Sequence, residues 1–261
     1  MNKAESGRIF DWFATYVRSF ERESGGLHPF LELKRKHSRR VAGYALSVAE
    51  GLGWTSAEVN VAHVTGLLHD IGRFLQFDEY GTFSDSLSVD HGECGRRIVE
   101  KEGVLSLLGS EEQCRILDGI RYHNAKTIPN DFPAASLPLL KLIRDVDQLD
   151  IFDVVLQKAA EDGFREFLEM FPDATLDNSF GPEVMREILM HGVCSIENVR
   201  SLGDFLVMLA SWVYDLNYRP AFELFRQRKI LERTLAWLPS SREVEELGAM
   251  LRSHLDKSLT R

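Results

Sequence analysis

Cysteine is scarce in this chain. Cys94, Cys114 and Cys194 are the only three in 261 residues, too few and too scattered for a disulfide framework or a zinc knuckle. They read as small buried hydrophobes in a reduced, cytoplasmic setting. Long apolar runs are also missing: none approaches the roughly 20 residues of a membrane span. Glu5 and Asp11 stand where a signal peptide would carry its apolar stretch, so no signal is expected. Positive charge is in deficit, with 31 Lys and Arg against 40 Asp and Glu and a net charge of -9. That balance argues against a stable nucleic-acid complex, which normally needs a basic footprint. It leaves room for a small phosphorylated substrate in a local basic pocket. There is no hairpin signal, internal repeat or low-complexity tract.

What the chain does have is helical periodicity. Ile9, Phe10, Phe13, Tyr16, Val17 and Phe20 recur at spacings of three and four, which predicts a helix over 6–23. Its aromatic face packs internally or makes a homodimer. Further helices are expected over 32–52, 57–68, 90–102, 110–123 and 137–162. Thr55 or Ser56 with Glu58 would make a capping box, and Ser88 or Asp90 would cap the helix that carries His91. Residues 78–89 (DEYGTFSDSLSV) read as a polar surface loop. Beyond Gly163, Phe171-Pro172 and Phe180-Gly181-Pro182 punctuate the chain, and helices near 182–190, 203–215, 219–237 and 241–258 follow. The fold class is all-α, one helical bundle core with a C-terminal helical extension. Its parts are an N-terminal helix packed on the core (1–29), a metal-binding core (30–165) and the extension (166–261).

The chemistry centres on Leu67 to Arg73, LLHDIGR. Adjacent His69 and Asp70 can ligate one metal ion or bridge two. His37 lies upstream; His91, His123 and an acidic helix with Asp145, Asp147 and Asp150 lie downstream. A helix turns about 100° per residue. If Leu139, Leu142, Ile143, Val146 and Leu149 face inward, Asp147 lies at the edge of that face and Asp150 within it, while Asp145 points toward solvent. A buried carboxylate is costly unless paired or metal-bound, so Asp147 and Asp150 are the informative pair. The candidate metal ligands are therefore His37, His69, Asp70, His91, His123 and Asp147. A histidine-rich set favours a divalent transition metal, one or two ions of iron, manganese, cobalt, nickel or zinc, over magnesium. Two such ions suit hydrolysis of a phosphate ester. His28, His63, His191 and His254 take structural readings.

With His37, His69-Asp70 and Asp147 in this order, the chain resembles the HD-domain metal-dependent phosphohydrolases over residues 30–160. VDQLD (Val146 to Asp150) looks like the family's Ala-Asp-x-Leu stretch, and LLHDIGR like its His-Asp-Ile-Gly-Lys/Arg block. DHGECGRRIV resembles the His-Pro-x-x-Gly helix of HD-GYP cyclic-dinucleotide phosphodiesterases, with His91 and Gly95 keeping the spacing. That branch has His-His-Glu and then Gly-Tyr-Pro where this chain has Tyr122-His123-Asn124 and no Gly-Tyr-Pro. The match therefore stops short of cyclic di-GMP cleavage. The resemblance implies a cytoplasmic phosphohydrolase with a dinuclear site, acting on a nucleotide or other small phosphate mono- or diester through a metal-activated hydroxide. Asp70 and Arg73 would be its catalytic residues, Arg73 as a phosphate clamp. Arg121 and Arg144 are explained by pairing with Asp118 or Asp145. The alternatives are an HD-type di-iron oxygenase with the same six ligands and a catalytically silent nucleotide-binding module.

Overall fold

The computed structural model describes residues 1–162, 164, 174–192 and 194–260, with side chains of 158–162 left aside. The punctuation at Gly163 and Phe171-Pro172 lies outside the described residues. The protein is all-α: the described residues hold no strand, only an isolated bridge between Thr175 and Ser201. No helix among them is long and apolar enough to cross a membrane. The chain divides into two compact units, Met1–Asp147 and Gln148–Arg261.

In the first unit, α1 (Lys3–Arg18) begins earlier than its apolar pattern suggests. Asn2 forms a capping box with Glu5, which satisfies the first free backbone donors. α2 (Pro29–Gly51) has His28 as its cap and Pro29 at its first position, where the missing proline N–H is no loss. α3 (Ser56–Leu68) opens on the expected Thr55–Glu58 capping box. α2 and α3 pack closely at Gly66, where an added Cβ would lie 3.1 Å from Ala42 Cα, Ala45 Cβ and the Val41 carbonyl oxygen. The small side chains let the two helices lie close. The aromatic face of α1 packs internally: Phe13 is buried and meets Phe74 edge-on with centroids 6.1 Å apart.

Four local expectations need correction. A helix absent from those expected, α4 (Gly72–Tyr80), opens at Gly72 and ends on left-handed Gly81. It forms because Phe74 is buried and Phe77 packs with His28, Phe30 and Phe83. The rest of 78–89 is not simply surface: it contains a 3₁₀ turn at Asp85–Leu87, and Asp85 reaches inward to His91. After α5 (His91–Lys101) and α6 (Ser110–Tyr122) comes α7 (Leu137–Asp162), where Asp145 is fully buried rather than solvated. Leu142, Asp145, Leu149 and Phe152 follow one another at spacings of three, four and three, and all are buried. They form a second inward stripe beside the narrower apolar face. The cysteines, finally, are thiols that are not all buried: Cys114 is exposed, and Cys94 and Cys194 are half-buried. Cys114 lies two positions before buried Ile116, on the other side of α6.

The second unit holds α8 (Pro182–His191), α9 (Leu202–Ser211), α10 (Arg219–Gln227), α11 (Ile230–Leu235) and α12 (Arg242–Thr260). α9 is buried along its whole length, and its core includes Phe152, Leu206, Phe225 and Leu251. The helix expected over 219–237 is two helices, because Lys229 adopts a left-handed φ of 54° between them. The helix expected over 203–215 tightens into a 3₁₀ turn at Trp212–Tyr214.

Candidate metal centre

Each candidate ligand sits where a helix begins, ends or turns inward. His37 is buried on the inner face of α2. His69 caps the C-terminus of α3, with Asp70 next to it. His91 is the first residue of α5, placed there by the Asp90 cap, whose carboxylate accepts the Glu93 N–H. His123 caps the C-terminus of α6. Asp147 is on α7 with its side chain 18% exposed, the least buried of the six.

Glycines make this convergence possible. A Cβ on Gly92 would lie 2.6 Å from both the Arg121 carbonyl oxygen and Asn124 Oδ1. One on Gly72 would lie 2.7 Å from the Gly95 backbone nitrogen and collide with the His91 carbonyl. Only side-chain-free positions allow the start of α4, the start of α5 and the end of α6 to meet.

The six functional groups fall into two sets that share Asp70. Its Oδ2 faces His37 Nε2 at 3.5 Å and His69 Nε2 at 3.7 Å. Its Oδ1 faces His91 Nε2 at 3.4 Å and His123 Nε2 at 3.6 Å. Asp147 Oδ1 joins the first set, 3.1 Å from His37 Nε2 and 3.5 Å from His69 Nε2. Three triads have ligand atoms close enough together to hold a metal ion: His37–His69–Asp70, Asp70–His91–His123 and, spanning both sets, His69–His123–Asp147.

Protonation supports that fit. His69 Nδ1 lies 2.8 Å from the Gly66 carbonyl oxygen, and His123 Nδ1 lies 2.8 Å from that of Ile120. A carbonyl oxygen only accepts, so each Nδ1 carries a proton, and in the neutral ring that a metal requires Nε2 carries the lone pair. His91 Nδ1 lies 2.7 Å from Asp85 Oδ2, which assigns its proton in the same way. The His91 and His123 Nε2 atoms, 3.0 Å apart, therefore present lone pairs to each other. A cation satisfies that arrangement; a hydrogen bond does not. Burial pushes His91 down to about 4, and Arg73 adds to the shift, so the ring is neutral as a metal ligand requires. Burial alone would raise Asp70, but the Lys34 ammonium, with the Arg73 guanidinium behind it, holds it well below the usual carboxylate range.

The surrounding charges differ from expectation. Arg73 donates through one nitrogen to Gln76 Oε1 at 2.8 Å, to Asp85 Oδ1 at 2.9 Å and to the Phe83 carbonyl oxygen. Its Nε lies 3.6 Å from Asp70 Oδ1. Arg121 pairs with Glu93 at 2.9 Å rather than Asp118, whose carboxylate takes the Ser136 hydroxyl. Arg144 donates to the carbonyl oxygens of His123 and Ala125, tying the segment after α6 to α7. Two residues that sequence reading missed stand beside the cluster. Lys34 puts its ammonium 2.7 Å from Asp70 Oδ2; its place one turn before His37 was a legible signal. Asp85 gave no signal, because an aspartate in a Ser- and Gly-rich stretch reads as a turn residue.

A helical bundle whose helix ends bring four imidazoles and two carboxylates together carries the donor set that a metal ion needs. Residues 35–154 match the family model of the HD domain, and this stretch of the chain is an HD domain. Comparison with curated proteins and with solved structures finds no match.

Proposed function

We propose that the protein is a metal-dependent phosphohydrolase that acts on a nucleotide or another small phosphate mono- or diester, with two divalent transition-metal ions as cofactor. The observation that carries this reading is the division of Asp70. Its Oδ2 faces His37 and His69 and its Oδ1 faces His91 and His123, as a carboxylate shared between two ions would. His37, His69 and Asp147 would hold one ion with Asp70 Oδ2, and His91 and His123 the other with Asp70 Oδ1. Bound there, two ions supply Lewis acidity for activating water and for stabilising charge on a phosphoryl group.

The chain's own residues supply the rest. Backbone carbonyls and Asp85 fix three imidazoles with their Nε2 lone pairs inward. Lys34, with its side chain 19% exposed, is the cation best placed to meet a phosphate. Arg73 is 16% exposed and already engaged by Asp85, so its contribution is to orient Asp70 and add to the local positive field. Charge-assisted contacts of this kind are about twice as strong as neutral ones.

Purified protein loaded with manganese or iron should release phosphate from a nucleotide panel, and His69→Ala and Asp70→Ala should not. Turnover that survives in both variants would overturn the proposal.

A further inference from the structure

Asp85 belongs to no helix of the bundle and to no part of the metal set. It nevertheless receives four side-chain donors. Oδ2 accepts from His91 Nδ1 at 2.7 Å and from Asn124 Nδ2 at 3.1 Å. Oδ1 accepts from Arg73 at 2.9 Å and from Gln76 Nε2 at 2.8 Å. Gln76 is itself fully buried and also donates to Ser88 Oγ and to the Val89 carbonyl, both within 2.9 Å. So the Asp85 turn is fastened to α4, to α5 and to the segment after α6.

This sets His91 apart. His69 and His123 lean on backbone carbonyls, whereas His91 leans on a carboxylate. A carboxylate fixes the tautomer more firmly than a carbonyl and makes the opposite nitrogen more basic. Asp85 also acts on the other side of Asp70. By holding the Arg73 end nitrogen it keeps that guanidinium at 3.6 Å from Asp70 Oδ1, the oxygen that faces His91 and His123.

We infer that Asp85 is the positioning residue of the His91–His123 half of the site: it holds His91 with its proton on Nδ1 and restrains Arg73 from closing on Asp70 Oδ1. The inference rests on the proposed metal reading for its purpose but not for its test, which uses metal-free protein.

Asp85→Asn is the informative change. An asparagine has one accepting and one donating end. Arg73 and Gln76 are obligate donors here, so they claim the amide oxygen, and the NH₂ turns to His91. Nδ1 must then accept, and the His91 proton moves to Nε2. Long-range ¹H–¹⁵N spectra of the histidine side chains at pH 7.5 read the tautomers directly. In the wild type, His69, His91 and His123 should all carry the proton on Nδ1. In Asp85→Asn only His91 should switch, with His69 and His123 serving as reporters of an intact fold. A wild-type His91 protonated on Nε2 would overturn the inference, and so would an unchanged His91 in the folded variant. The wild-type spectrum decides even if the variant fails to fold.

Cobalt(II) titration of the same proteins gives the second readout. Loss of such an outer partner weakens metal binding by about ten- to a hundredfold, and the loss should be confined to one of two ions. Equal weakening of both ions would reduce Asp85 to a structural role. A wild type that binds no cobalt would end the metal reading and leave the tautomer result standing.

Discussion

The Lys34 ammonium lies 2.7 Å from Asp70 Oδ2, the oxygen that also faces His37 and His69. A tethered cation thus occupies the position from which a metal ion would draw a ligand. Loading that half of the site must displace it, and an ammonium freed beside the cluster is well placed for a phosphate. Lys34→Met should therefore separate two properties that usually fall together. Metal affinity should rise about ten- to a hundredfold, since a hydrogen bond to a charged group is worth ~1.5–3 kcal/mol. Turnover of phosphate esters should fall, mainly through KM. Isothermal titration with manganese beside steady-state kinetics checks both, and weaker metal binding in the variant would refute the competition.

Gly92 should tolerate no side chain. A Cβ there meets the Arg121 carbonyl oxygen, which is backbone and cannot turn aside, at 2.6 Å. Forcing atoms into such a contact costs about 1–3 kcal/mol. At about 2–4 °C per kcal/mol for a chain of this size, Gly92→Ala should lower the melting temperature by several degrees and pull α5 from α6, with loss of metal at His91 and His123. Gly43 is the control: it lies within α2, and a methyl added there would meet no atom within 4 Å. Gly43→Ala should be neutral or stabilising, by up to about 1 kcal/mol. Thermal melts of the two variants side by side are sufficient.

The parts of the fold that were legible in the sequence were those governed by local rules. Thr55–Glu58 and Asp90 cap the helices they were expected to cap, and the four histidines and two aspartates do come together in space. What escaped depended on neighbours distant in sequence. Asp85 is defined by Arg73, Gln76, His91 and Asn124, and no periodicity connects an aspartate in a turn to those four. Asp145 failed for another reason. Its stripe with Leu142, Leu149 and Phe152 lies beside the apolar face that the periodicity marks, and the helix is buried along both. Lys229 breaks its helix through a left-handed backbone, a conformation that lysine does not advertise.

His63 links stability to pH. It is half-buried against the Phe10 ring, with centroids 4.5 Å apart, and burial lowers its pKa below the ordinary 6.5. In the unfolded chain the imidazole keeps its ordinary value, so between the two values the unfolded state binds more protons. Stability contributed by this site is therefore present above the unfolded value and lost as pH falls through it toward the folded one. His63→Gln should remove that component. The melting temperature of the wild type should drop more between pH 7.5 and pH 5.5 than that of the variant. A larger drop in the variant would reverse the sign and refute the argument.

The second unit is expected to depend on one buried carboxylate. Asp204 lies in the first turn of α9 and is almost fully buried. Its Oδ1 accepts the Gly181 N–H at 2.7 Å, and its Oδ2 accepts the Arg200 N–H at 2.9 Å. These bonds fasten the entry of α8 and the approach to α9 to a single side chain. Removing the acceptor leaves two backbone donors to find new partners, and an unsatisfied buried donor costs about 1–3 kcal/mol. Asp204→Ala should thus lose about 2–5 kcal/mol in urea unfolding. Asp204→Asn keeps one accepting oxygen and should lose roughly half as much. Metal content per chain should not change in either variant, because every candidate ligand lies in Met1–Asp147. A loss below about 1 kcal/mol in Asp204→Ala would mean that these donors find water readily and that the carboxylate does not hold the unit together.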